Sequence, residues 1–398
     1  MKILLEDTIP FGESYLHNVG EVSTYAWQNL VASDLADIDI LALRSTTKVT
    51  PELLKYADKL QFVTTATAGT NHIDKACLNA NNIAHSSAAG CNAVAVAEYV
   101  LSVLLHAQKS KKLDLYSATV GIVGAGNVGT ALSVLLDAVG VSHVLCDPPL
   151  QEAGDKRAFV EMDDIARCDV ITLHVPFVRG GPHPTGKLID SALLSQLNDH
   201  QLLINACRGE VIDELALHAR LTSPNAPTVV LDVFDNEPAI DTRLFDHCWF
   251  VTPHIAGHSV EGKVRGTQMI YEQICHRTGQ KATRALSDFL ESIPPVKVSL
   301  QHPTQTRLSV DDLIDVFHRI YDIAVDDITM RQSVKQVESA DAHAHGESVA
   351  SQFAALRKHY RVRRECSAHT LVVPHNTSEE IAKTLKNLGF SVQREQAQ

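Results

Sequence analysis

Thr119–Pro149 reads TVGIVGAGNVGTALSVLLDAVGVSHVLCDPP. An apolar run, TVGIVGAG, enters a glycine-rich turn; NVGTALSVLLDAVG continues with helical spacing to Gly140, and VSHVLCD is a second apolar run. Gly124, Gly126 and Gly129 therefore form G-x-G-x-x-G where a strand passes into a helix. In that position the first glycine permits a tight turn, the second lets the backbone approach a pyrophosphate, and the third lets helix and sheet pack closely. The helix start, at Asn127 and Val128, offers free N–H groups and a positive dipole end. Asp147 ends the next strand eighteen residues after Gly129. A carboxylate there accepts both hydroxyls of an adenosine ribose and repels a 2′-phosphate. The stretch predicts a dinucleotide site that favours NAD over NADP.

Outward from this unit, strands and helices alternate. KILLE, DILALRS and FVTTATAG read as strands before it, and residues 92–109 carry apolar positions at helical spacing. After it, DVITLHVP, QLLINACRG, TVVLDVF and WFVTPH continue the alternation. Such alternation implies parallel sheets with crossover helices, an α/β fold. The expected division is a doubly wound Rossmann NAD domain over 101–257 and a discontinuous, flavodoxin-like domain from 1–100 plus 258–285. A small α/β domain is expected over 286–398. There SVDDLIDVFHRIY predicts a helix capped by Ser309, and the last strand–helix–strand is predicted to use a Thr377–Glu380 capping box before Gly389.

The totals exclude several classes. A chain of 398 residues is long enough for two or three domains, and 45% hydrophobic with 21% charged is a globular composition. The net charge of -12 argues against nucleic acid or an anionic membrane as partner. The longest apolar run, residues 93–107, is interrupted by Glu98 and is too short to span a membrane. Eight cysteines stand singly, which points to reduced thiols and a cytoplasmic setting. DAHAHGE (Asp341–Glu347) reads as a solvated loop rather than a metal site, and no metal is expected. RKHYRVRR (Arg357–Arg364) reads as an exposed basic face.

Chemistry is expected from INACRGEVID, LDVFDNEP and VTPHIAGHS, each at the carboxyl end of a predicted strand, where ligands bind in open α/β sheets. They supply Arg208, Glu237 and His254. An imidazole can take a hydroxyl proton while hydride leaves the same carbon. A carboxylate bonded to it fixes its orientation and raises its basicity. An arginine can grip a substrate carboxylate through two parallel hydrogen bonds. Cys207 reads as a small packed residue, since hydride transfer needs no nucleophile. In the first domain Arg44, Ser45 and Thr47 end a strand, and Thr67, Ala68 and Gly69 form a small-residue turn; both can donate to phosphate or carboxylate oxygens.

The order of glycine loop, NACRG, LDV, EP and TPHIAG resembles the D-isomer-specific 2-hydroxyacid dehydrogenase family. RSTTKV, TATAGTNHID and GCNAVAVAEYV extend the likeness over nearly the whole chain. The resemblance implies that Arg208, Glu237 and His254 are the catalytic set. It places Asp232 near the nicotinamide carboxamide, with Ala206, Cys207 and Gly257 lining the cofactor. It also implies substrate contact for Ser45 and Thr67, oxidation of a phosphorylated 2-hydroxy acid at C2, and a homodimer formed through the C-terminal domain. Two positions depart from the family pattern: Asn71 stands where AGTDH has aspartate, and His258 stands where a tyrosine follows TPHIAG. His258 is therefore the expected replacement contact to substrate. Alternatives are a dehydrogenase of another phosphorylated acid such as 3-phosphoglycerate, and a non-enzymatic NAD(H)-sensing corepressor.

Overall fold

Residues 1–338 and 348–396 are described by the structure, a computed structural model; the Asp341–Glu347 segment lies outside them. The chain forms two compact units, Met1–Ala93 with Ser259–Ser292, and Val94–His258 with Ile293–Gln398.

In the first unit β1 (Lys2–Glu6), β2 (Glu21–Tyr25), β3 (Ile40–Leu43), β4 (Phe62–Thr65) and β5 (Ala84–Ser87) make one parallel sheet in the order β2-β1-β3-β4-β5. This is the flavodoxin-like order. The inner strands β3 and β4 are buried at every residue, as a sheet covered on both faces requires. The edge strands β2 and β5, which the apolar pattern did not announce, are mostly polar and partly exposed. The helix Val260–Thr278 returns to this unit. Ser259 caps it by accepting from the Gly262 N–H, and its Ile270, Tyr271 and Ile274 join the core of Ile3, Leu5 and Phe62.

The second unit holds six parallel strands: β6 (Thr119–Val123), β7 (Ser142–Cys146), β8 (Val170–Leu173), β9 (Leu202–Asn205), β10 (Thr228–Leu231) and β11 (Phe250–Val251). Their order is β11-β10-β9-β8-β6-β7. With β7 on one side of β6 and β8 on the other, the winding reverses beside β6, and a crevice opens at its carboxyl end. That end carries the glycine loop.

The C-terminal residues pack into this same unit. A short parallel sheet, β12 (Val296–Lys297), β13 (Thr370–Val373) and β14 (Ser391–Arg394), accompanies helices Val310–Ile320, Ile323–Glu338, Val349–Lys358 and Glu379–Asn387. Leu313, Phe317, Ile381 and Leu385 share one buried cluster with Val100, Leu104 and Leu136. Each such side chain contributes roughly 1.5–3 kcal/mol on burial, enough to fuse these elements into one core. Ser309 caps its helix as expected. The last helix is capped by Ser378, accepting from Ile381 N–H at 3.2 Å, and not by Thr377, which is buried one residue before the cap. One residue of the basic stretch departs from expectation. Arg363 is 2% exposed, donating to Ala95 O at 2.6 Å and Ala256 O at 2.9 Å, with Glu98 at 3.5 Å. Glu98, the charge that interrupts the apolar run, is there to meet this guanidinium.

Candidate active site

The three glycines of the loop fill three different needs. Gly124 has φ +93°, and a Cβ on it would stand 2.7 Å from the His174 carbonyl. A Cβ on Gly129 would stand 2.2 Å from Gly124 O, so the helix Asn127–Val139 reaches the strand only because that atom is absent. Around a Cβ on Gly126 nothing lies within 4 Å. Its lack of a side chain serves no packing inside the chain and leaves open space before the helix N-terminus. Asp147 follows β7, accepting from Ala125 N–H at 2.8 Å and Leu150 N–H at 3.1 Å. Its carboxylate thereby faces the glycine loop while holding it.

At the ends of β9, β10 and β11 three loops converge. His254 Nδ1 lies 2.7 Å from Glu237 Oε2, and Glu237 Oε1 accepts from Phe234 N–H at 3.0 Å. Burial pushes the Glu237 carboxyl up, but His254, the Phe234 N–H and Arg357 outweigh it and hold it below the ordinary range. With Nδ1 turned to a carboxylate, the His254 proton sits on that nitrogen and Nε2 keeps its lone pair. His254 adopts φ +56°, a left-handed backbone rare for a non-glycine residue.

Asp232 explains that conformation. It is 1% exposed, and its carboxylate accepts from Thr252 Oγ1 at 2.6 Å, Ile255 N–H at 2.8 Å and Ala256 N–H at 2.9 Å. Its carbonyl accepts from His254 N–H at 2.7 Å. The aspartate therefore pins the His254 loop on both sides of the imidazole. Burial pushes its own carboxyl up, opposed by His254 and these donors.

Arg208 follows β9 in a turn ordered by Asn205, whose side chain donates to Arg208 O at 2.9 Å and accepts from Cys207 N–H at 3.2 Å. A Cβ on Gly209 would stand 1.9 Å from the Phe234 carbonyl carbon. Only glycine lets the Arg208 turn pass this close to the loop of Glu237. Cys207 is buried, and burial raises its thiol to about 11, so it stays protonated. Ala206 is half-buried beside it, Gly257 follows Ala256 in the pinned loop, and the His258 ring lies 5.8 Å from that of Tyr360.

In the first unit the turn Arg44–Thr47 has an organiser that the sequence did not reveal. Glu6, fully buried at the end of β1, accepts from Thr46 Oγ1 and Thr47 Oγ1, both at 2.6 Å, from Arg44 N–H at 2.9 Å, and from Thr8. Ser45, inside this turn, stays exposed. Burial lowers the Arg44 guanidinium below its ordinary value, opposed by Glu6. Thr67 Oγ1 bonds Thr65 Oγ1 at 2.8 Å and donates to Gly69 O at 3.2 Å. His72, next to Asn71, bonds Thr65 at 3.2 Å and is lowered to about 4, chiefly by burial.

One group among the described residues has metal-ligand spacing: His106, His318 and Asp322. Its imidazoles stack 4.2 Å apart at 23°, and His106 Nε2 bonds Asp322 at 2.7 Å.

Residues 94–256 match the family model described as D-isomer specific 2-hydroxyacid dehydrogenase, NAD binding domain, and residues 290–389 match a domain of unknown function. The chain is 44% identical over 391 residues to erythronate-4-phosphate dehydrogenase of Pseudoalteromonas atlantica, covering 98% of this chain and 100% of that one. The same-named protein of Marinobacter nauticus is 42% identical, covering 98% and 100%. The chain belongs to the D-isomer specific 2-hydroxyacid dehydrogenase family. Two solved structures share the fold. An NAD+-bound 3-phosphoglycerate dehydrogenase of Entamoeba histolytica superposes with TM-score 0.56 at 24% identity, over 71% of this chain and 94% of that one. A D-lactate dehydrogenase of Aquifex aeolicus, complexed with NAD and lactic acid, gives 0.54 at 22% identity, over 70% and 96%. NAD is the cofactor of this family domain, and the residues present fit it. The open space at Gly126, the helix N-terminus at Asn127 and the Asp147 carboxylate suit a pyrophosphate and an unphosphorylated ribose. No helix among the described residues is long and apolar enough to cross a membrane.

Proposed function

We propose that the protein oxidises 4-phospho-D-erythronate at C2, giving (3R)-3-hydroxy-2-oxo-4-phosphooxybutanoate, as a step of pyridoxal 5′-phosphate (vitamin B6) biosynthesis. The observation that carries this reading is the His254–Glu237 pair at 2.7 Å, in a chain alike end to end to erythronate-4-phosphate dehydrogenases. Bound NAD supplies the hydride acceptor. His254 Nε2 takes the C2 hydroxyl proton as the C2–H bond breaks and the carbonyl forms, and Glu237 stabilises the imidazolium. Arg208 grips the substrate carboxylate and polarises the forming carbonyl. Ser45, Thr67, Arg44 and His258 hold the remaining oxygens, phosphate included. In this reading Asp232 acts on the cofactor side by fixing the loop that carries His254, and Ala206, Cys207 and Gly257 line the nicotinamide.

The C-terminal residues 286–398 are proposed as the dimer-forming part of a cytoplasmic homodimer; 101–257 bind NAD, and 1–100 with 258–285 bind substrate. NADH formation with 4-phospho-D-erythronate, measured beside 3-phosphoglycerate and D-lactate, tests the activity. Clear preference for the four-carbon phosphate supports it. Preference for another acid moves the substrate and implicates His258. NADH binding without turnover of any acid favours a sensor.

A further inference from the structure

The helix Val349–Lys358 approaches the catalytic carboxylate at two points. Phe353, fully buried, meets Phe234 edge to face, centroids 6.1 Å apart at 85°. Phe234 is the residue whose N–H binds Glu237 Oε1 at 3.0 Å. One turn on, Arg357 Nη1 lies 3.8 Å from Glu237 Oε2, the oxygen that also takes the His254 Nδ1 proton. The buried Arg357 Nε has no hydrogen-bond partner. Further along, Arg363 holds the carbonyl of Ala256, two residues beyond His254, at 2.9 Å.

We propose that Arg357, carried by the C-terminal region, is a positioning residue that sets the basicity of the His254–Glu237 pair. A guanidinium beside Glu237 Oε2 withdraws part of the negative charge that would otherwise stabilise a protonated His254. The imidazole then gives up its proton at a lower pH and serves as base over a wider range. Other ionisable groups face the pair. Asp232 lies beneath the His254 loop, and Glu214 binds the Asp235 N–H at 2.6 Å and is held up to about 7, chiefly by burial. Arg357 stands against these carboxylates as the cation on Glu237. The region that matches a family model of unknown function thus acts on the reaction itself, besides any part in assembly.

This inference rests on His254 being the base, so its test reads the imidazole directly as well as turnover. In the full-length protein the His254 ring is titrated by NMR, in wild type, Arg357→Met and Arg357→Lys. Arg357→Met keeps most of the aliphatic stem and removes the guanidinium, whose Cζ lies 6.0 Å from the Phe353 ring centroid. Its His254 pKa should rise by about half a unit to one unit, a partial shift because Arg357 is partly exposed. The ascending limb of kcat/KM for 2-hydroxy-acid oxidation should move up by the same amount. Arg357→Lys should restore both. An unchanged His254 titration in Arg357→Met, or activity lost equally at every pH, overturns the proposal. A shifted titration in a protein that turns over no acid sustains the inference and overturns the catalytic reading. If Arg357→Met fails to fold, Arg357→Gln replaces it: it too removes the charge and should lift the His254 pKa, and a titration that does not move refutes the idea.

Discussion

Both oxygens of Glu237 are engaged, one by His254 Nδ1 at 2.7 Å and one by the Phe234 N–H at 3.0 Å. The carboxylate cannot rotate away without losing a bond, so the imidazole is held in one tautomer and one direction. Glu237→Gln keeps the shape and removes the charge. The His254 pKa should fall, moving the ascending limb of kcat/KM to lower pH, while kcat drops by about tenfold to a hundredfold. His254→Ala should cost about 10²–10⁴ in kcat. NADH affinity, measured by fluorescence, should stay near wild type in both. Loss of binding together with turnover would instead make the pair a structural element.

The three loop glycines separate packing from cofactor binding. Gly129→Ala places a methyl group 2.2 Å from Gly124 O and should destabilise the fold by about 1–3 kcal/mol, the range for overpacking. Gly126→Ala meets nothing within 4 Å and should leave Tm unchanged. It should nonetheless weaken NAD binding about tenfold or more, because the methyl group stands where the pyrophosphate approaches. Thermal denaturation and NAD titration of the two variants check this. Equal NAD affinity in Gly126→Ala and wild type would remove the pyrophosphate from that position.

The glycine loop was legible because its three positions are close in sequence and each needs the absence of a side chain. Arg208, Glu237 and His254 were legible through the strands they follow, whose apolar runs are long enough to see. The organisers Glu6 and Asp232 were not legible in their structural roles, because the donors they collect lie up to 41 and 24 residues away. Nothing local distinguishes a buried carboxylate with four donors from a strand-end charge. Arg363 misled for the same reason: within RKHYRVRR it looks solvated, and its acceptors Ala95 and Ala256 are 268 and 107 residues away. The edge strands β2 and β5 escaped because half-exposed strands need no apolar run.

Asp232 should be more sensitive to substitution than its buried position alone implies. Asp232→Ala leaves the Thr252 hydroxyl and two backbone N–H groups without their acceptor. Hydrogen bonds to charged groups contribute about 1.5–3 kcal/mol each, so a loss of several kcal/mol is expected by urea denaturation. Asp232→Asn keeps one acceptor oxygen, fails to serve the Ala256 N–H, and should fall between alanine and wild type. A loss in Asp232→Ala below about 1 kcal/mol would mean that the His254 loop holds itself.

Glu214 ties the same site to pH. It stands half-buried in the first turn of the helix Glu214–Leu221 and accepts the Asp235 N–H at 2.6 Å, two residues before Glu237. Burial raises its carboxyl from 4.5 to about 7, opposed by that N–H and reinforced by Asp235, Asp241 and Glu237. A folded-state pKa above the unfolded one means that the native protein holds a proton the unfolded chain has released. The stabilisation is full below about 4.5 and is lost as pH rises through about 7. Glu214→Gln keeps an acceptor for Asp235 and has no proton to lose. The variant should therefore gain stability relative to wild type as pH is raised from about 5 to about 7, and the difference should level off above about 7. Tm differences measured across that range decide it. A difference that stays constant with pH would show that Glu214 is ionised in the folded protein throughout, its charge carried by the Asp235 N–H and the helix start.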